Sequence, residues 1–201
     1  MKYNYFECKI RYEKTMENGM NKKVNETYLV DALSFTEAEA RIIEEMTPYI
    51  SGEFRVTDIK RTNYQELFFD ALASADRWFK CKMDFITLDE KSGKEKRTFS
   101  NVLVQASDFR ESVKKLDEGM KGSMADYVIC SMAETAIMDV YVYEQTEDPN
   151  QDEGIKKGLS SPIISQFLSS LLDGCKTEIV VKGKTLIIDR TGKGTKVTPK
   201  D

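Results

Sequence analysis

Phe6-Glu7-Cys8-Lys9-Ile10-Arg11-Tyr12 is spelled a second time as Phe79-Lys80-Cys81-Lys82-Met83-Asp84-Phe85, 73 residues further on (79 − 6 = 73). The echo continues. Leu29-Val30-Asp31-Ala32 returns as Leu103-Val104-Gln105-Ala106, and Ser34-Phe35-Thr36-Glu37 as Asp108-Phe109-Arg110-Glu111, both at an offset of 74. Glu53-Phe54 and Thr62 reappear as Asp126-Tyr127 and Thr135 at 73. One inserted residue ahead of the blocks at 74 is what a loop of slightly different length gives. The chain reads as a tandem duplication of one small fold.

That fold follows from periodicity. Phe6, Cys8, Ile10 and Tyr12 alternate with Glu7, Lys9, Arg11 and Glu13, the period-2 pattern of a strand with one wet face. Glu17-Asn18-Gly19-Met20-Asn21 supplies turn chemistry, and Val24 to Leu33 resumes extended structure as a hairpin. Ser34-x-x-Glu37 opens a helix with Phe35, Ala38, Ile42 and Met46 on one stripe, and Pro48 limits its length. Glu53 to Phe69 then runs extended, with a bulge or bend expected near Arg61-Thr62-Asn63. The second copy repeats the plan from Trp78 to Tyr143, its helix opening at Asp108-x-x-Glu111.

The fold class is α+β, a duplicated β-β-α-β unit with antiparallel sheets and one helix per unit, followed by a C-terminal helix and β-hairpin. Residues 1–70 form the first unit and 77–143 the second. The link between them is short, so the copies are expected to pack together. Residues 144–158 make an acidic flexible linker, since Glu144 to Gly154 carries five carboxylates and no apolar side chain. Residues 159–190 hold a helix opened by Ser161-Pro162 and a hairpin around Lys182-Gly183-Lys184. Residues 191–201 are read as a loose basic tail.

Composition narrows the chemistry. The 201 residues contain no histidine, which removes the commonest general base near neutral pH and every zinc site that needs an imidazole. Cys8, Cys81, Cys130 and Cys175 stand apart at no metal spacing, with Cys8 and Cys81 on the apolar side of their strands as small hydrophobes. Gly192-Lys193-Gly194-Thr195 lacks the upstream glycine of a phosphate loop, Ile187 standing in its place. Asp58, Glu66, Asp126, Glu134 and Asp139 read more simply as solvated strand faces than as metal ligands. Neither an enzyme nor a cofactor is expected. With no long apolar run and no apolar leader after Met1, a cytoplasmic chain without a membrane span is expected.

Net charge is −4, so no global field holds this chain to duplex DNA. A local strip remains. Lys9, Arg11, Lys80 and Lys82 on the outward faces of the first strands, with Lys60 and Arg61, suit a single-stranded DNA or RNA backbone, and Tyr64 and Trp78 near strand ends suit stacking on bases. The same face needs charged residues anyway, and Glu7, Glu13 and Asp84 share it. The other class of function is a protein-binding adaptor or defence-system inhibitor. It would act through a sheet edge or through the C-terminal helix, where Ile164, Phe167, Leu168 and Leu171 are apolar. Homo-oligomers through sheet edges or the C-terminal segment fit as well.

Tyr5-Phe6-Glu7-Cys8-Lys9, Val30 to Ala40, and Ala125-Asp126-Tyr127 closing on Met138-Asp139-Val140 resemble a domain-of-unknown-function family of gut bacteria, their phages and mobile elements. The resemblance covers residues 3–143 and implies a phage or mobile-element setting. It carries no catalytic residues.

Overall fold

The structure is a computed structural model that describes residues 4–70, 74–88, 95–121, 126–142, 176–181, 183–192 and 194–200. It is α+β. In chain order the elements are β1 (Tyr5–Thr15), β2 (Asn21–Asp31), α1 (Phe35–Met46), β3 (Phe54–Arg61), β4 (Tyr64–Phe68), β5 (Arg77–Leu88), β6 (Glu95–Ala106), α2 (Phe109–Gly119), β7 (Asp126–Glu134), β8 (Ile137–Tyr141), β9 (Lys176–Val181), β10 (Lys184–Gly192) and β11 (Gly194–Pro199). The chain divides into two compact units, Met1–Arg61 with Val140–Asp201, and Thr62–Asp139.

The first unit is built on a seven-stranded sheet of order β8-β2-β1-β3-β11-β10-β9. β1 alternates as its sequence dictates. Phe6, Cys8 and Ile10 are buried while Lys9 and Arg11 are exposed. β1 pairs antiparallel with β2 and β3, and the β3 register slips between Lys9 and Ile10. α1 starts where Ser34 Oγ accepts from the Glu37 amide (3.2 Å). The Glu37 carboxylate reaches back past the cap to the Leu33 amide (2.8 Å). Arg41 then ties helix to sheet, donating to Glu37 at 2.7 Å and to the Asp31 carboxylate at 2.6 Å, with both carboxylates only 7 % exposed. Ala38, Ile42, Ile43 and Met46 bury against Phe6, Cys8, Ile10, Phe54 and Val56.

Residues 194–199 correct the reading of this end of the chain as a loose tail. β11 pairs with β10 and, through Thr195↔Val56, Lys196↔Arg55 and Val197↔Phe54, with β3. Thr195 and Val197 are buried at 4 % and 0 %. Glycine and lysine make the segment look like solvated coil, but every second residue, Thr195 and Val197, faces the core. Gly194 lets β11 enter. Its φ is +77°, and a Cβ there would collide with the Val56 carbonyl.

The second unit holds a four-stranded sheet of order β4-β6-β5-β7. β5 pairs antiparallel with β6 and β7, its β7 register slipping between Lys82 and Met83, and β4 lies parallel to β6. α2 is capped as α1 is. Asp108 accepts from the Glu111 amide (2.9 Å), and Glu111 reaches back to the Ser107 amide (2.9 Å). Cys81, Met83, Val102, Val104 and Leu116 are buried together, with Phe85, Tyr127, Ile129 and Met132 only partly covered around them. In each unit the strand pattern breaks after β3 or β7. Thr62-Asn63 and Thr135-Ala136 separate these strands from β4 and β8.

No helix among the described residues is long and apolar enough to cross a membrane. The acidic segment 144–158 and the helix 161–172 of the sequence reading lie outside the described residues.

Candidate nucleic-acid interface

On the sheet face away from α1, β1 presents Glu7, Lys9 and Arg11 to β3. Lys9 stands opposite Asp58, and Glu7 opposite Lys60. Opposite charges directly across a ladder cancel much of each other's field. Further along the sheet the pattern changes. Arg11 stands opposite Arg55, and Arg55 opposite Lys196, so three cations lie side by side across β1, β3 and β11. Adjacent strands are about 4.8 Å apart, so the row spans roughly 10 Å.

This row runs along a shallow groove of about 270 Å³ lined by Arg11, Tyr12, Glu13, Lys23, Glu53, Phe54, Arg55 and Lys196. Small-molecule sites enclose roughly 300–1,000 Å³. The groove therefore falls just below the range of sites that enclose a small molecule. Two of the cations lean on carboxylates at the groove's rim, Lys23 on Glu13 (3.7 Å) and Lys196 on Glu53 (2.7 Å). Both carboxylates are more than half exposed, so these pairs are weak and exchangeable.

Below the groove the hairpin is fixed by Glu26. Its carboxylate accepts from Tyr28 (2.7 Å), Tyr12 (2.8 Å) and Lys14 (3.3 Å). Burial works against its ionised form, but the hydrogen bonds from Tyr28, Tyr12 and Lys14 outweigh it and hold the Glu26 carboxyl below its ordinary range. Burial and the bond to Glu26 push the Tyr12 phenol up to about 12. Tyr12 is thus a neutral hydrogen-bonded wall of the groove.

The remaining expected contacts fall differently. Arg61 is exposed and donates to the Asn4 side chain. In the second unit Lys80 lies over the Tyr64 ring at 5.6 Å and Lys82 over the Phe99 ring at 4.4 Å. Tyr64 and Trp78 are not stacking platforms. They are 5 % and 1 % exposed, with Trp78 edge-on to Phe69 at 5.5 Å. Leu103, beside Lys80 on β6, is 0 % exposed, so the Trp78 end of that face is covered although its strand alternates like a wet one. Ile164, Phe167, Leu168 and Leu171 lie outside the described residues.

Cys8 and Cys81 are buried, and burial pushes their thiols up to about 12 and about 11, far from a nucleophile's range. Among the described residues no three acidic or cysteine side chains gather as metal ligands do. Arg55 and Lys196 are the contributors that strand-by-strand reading passes over. Phe54 and Val56 already force Arg55 outward, and Thr195 and Val197 force Lys196 outward. Their meeting depends on a pairing between residues far apart in the chain.

No curated protein and no solved structure matches the chain. A family model matches residues 4–143, a span that includes Arg11 and Arg55 but not Lys196. With most of its length covered by that match, the chain belongs to the family described as Domain of unknown function (DUF4494).

Proposed function

We propose that the chain is a twice-copied β-β-α-β fold that acts in the cytoplasm as a non-enzymatic accessory binding single-stranded DNA or RNA. The setting is the phage or mobile element that the family resemblance implies. The duplication is supported by register as well as sequence. Phe54↔Tyr12, Val56↔Ile10 and Ile59↔Cys8 recur 73 residues on as Tyr127↔Phe85, Ile129↔Met83 and Met132↔Cys81, and the slip after Lys9 recurs after Lys82.

The observation that carries the binding role is the row Arg11–Arg55–Lys196. Like charges placed directly opposite in a ladder destabilise a sheet by roughly 0.2–1 kcal/mol per pair. Phosphates laid along the groove would relieve that repulsion and release counterions. Recognition is then of backbone rather than base, because Tyr64 and Trp78 are buried. Lys9, Lys60 and Arg61, further along the first unit, supply outer contacts.

Fluorescence anisotropy with labelled oligothymidylate and oligouridylate tests this. Neutralising three phosphates gives a log–log salt slope of about −2, hence a loss of about 20-fold between 50 and 200 mM salt. Replacing Arg11, Arg55 and Lys196 together by glutamine abolishes binding, whereas Lys80→Gln with Lys82→Gln leaves it unchanged. Arg55→Gln alone weakens binding. Absence of binding by the unaltered protein at low salt overturns the reading.

A further inference from the structure

β3 and β7 occupy the same place in their sheets, but β3 carries β11 on its outer edge and β7, among the described residues, pairs with β5 alone. At the 73-residue offset, the docking triplet Phe54-Arg55-Val56 corresponds to Tyr127-Val128-Ile129. The consequences of the difference are visible in burial. Phe54 and Val56 are 3 % and 2 % exposed and share a core with Val197, Ile188 and Ile179. Tyr127, Ile129 and Met132 are only partly covered, and Val128 is 51 % exposed on the other face.

A second observation says what would cover them. Asp84 stands on β5 directly opposite Val128 on one side and Phe99 on the other. It is 4 % exposed. Its Oδ2 meets Arg97 at 3.4 Å, while its Oδ1 is buried with no hydrogen-bond partner among the described residues. An unsatisfied buried carboxylate oxygen is costly and calls for a donor.

We propose that the β7 edge is a strand-addition site for an extended partner segment of apolar–basic–apolar sequence, docked antiparallel as β11 docks on β3. The two apolar side chains would face α2, over Tyr127 and Ile129. The basic one, in the position that Lys196 takes beside Arg55, would lie over Val128 towards Asp84 two strands away, about 10 Å, a gap that a lysine or arginine stem closes. The site asks for an apolar residue where β11 has Thr195. Thr195 hydrogen-bonds Glu39, and the position 74 residues after Glu39 is Val113, which offers no acceptor. Asp126 at the start of β7 adds acidity, and main-chain hydrogen bonds along the ladder supply most of the affinity.

The test uses the isotope-labelled full chain and a synthetic peptide, Ser-Thr-Val-Lys-Val-Thr-Ser, followed by nuclear magnetic resonance. Saturable shifts are expected in amides 126–134. Replacing the peptide's lysine by glutamate weakens binding by about tenfold or more, as loss of a charge-assisted contact does. Val128→Lys, which sets a protein cation beside Asp84, weakens it similarly while preserving spectral dispersion, and Val128→Thr retains it. The proposal is overturned if β7 does not respond at about 1 mM peptide, the weak end of measurable affinity. It is equally overturned if lysine and glutamate peptides bind alike, or if only β3 responds. A concentration-dependent dimer abolished by Val128→Lys would identify the occupant as a second copy and overturn the peptide reading. Arg55→Gln leaves peptide binding intact, so this result and the nucleic-acid result stand separately.

Discussion

The two sheets start from the same local text and end with different interiors. In the first, β11, β10 and β9 extend the ladder beyond β3 and contribute Ile179, Val181, Leu186, Ile188 and Val197 to a deep core. In the second, the strand order among the described residues stops at β7 and the core beneath α2 keeps a half-covered rim. Equal strand pattern therefore does not give equal burial. What decides it is whether the outer edge receives another strand, since each added strand removes apolar surface from water at about 25 cal/mol per Å².

The comparison breaks most sharply at Arg41. Arg41→Ala leaves Asp31 and Glu37 buried without their cation, at a cost of about 3–5 kcal/mol, read by chemical denaturation. Its counterpart Lys115 meets the buried carboxylate of Asp70 and, at 3.8 Å, that of Glu111, which is 27 % exposed, so Lys115→Ala also strips one buried carboxylate of its cation where Arg41→Ala strips two.

Gly194→Ala comes next. A side chain at φ +77° against the Val56 carbonyl costs about 1–3 kcal/mol. Its expected signature is loss of hydrogen-exchange protection in β11 and at the β3 edge, with β7 unchanged. An equal response in both sheets would refute the assignment of the difference to β11.

The smallest effect is the pH dependence that Glu26 gives the first unit. Because the folded state holds the Glu26 carboxyl below its unfolded value of about 4.3, its stabilisation is present above that pH and fades as pH falls through the folded value. Glu26→Gln flattens this acid limb. The positions equivalent to Tyr12 and Glu26 in the second sheet's register are Phe85 and Ser100, so the second unit's depressed carboxyls lie instead at the α2 cap, where the Glu111 amide holds Asp108 low and the Ser107 hydroxyl and amide hold Glu111 low.

Much of the element pattern is legible in the sequence, and the exceptions have physical causes. The strands of both units declare themselves by alternation, and both helix starts by Ser34 and Asp108 with their trailing glutamates. The strand breaks fall at or near Thr62-Asn63 and its counterpart. Tyr64 and Trp78 mislead because alternation marks one face as polar without saying whether water reaches all of it. β11 misleads because short segments such as Thr195-Lys196-Val197 acquire meaning only beside a partner. The row Arg11–Arg55–Lys196 is invisible for the same reason. Charges in one line across a sheet belong to no contiguous stretch of text.

The attachment of β11 to β3 also sets a clock. About 140 residues separate Val56 from Thr195, and ribosomes add roughly 5–20 residues per second. The β3 edge therefore waits about 7–28 s for its neighbour during synthesis. Through that interval Arg55 and Lys60 stand along a bare strand margin, where charge deters pairing with other nascent chains.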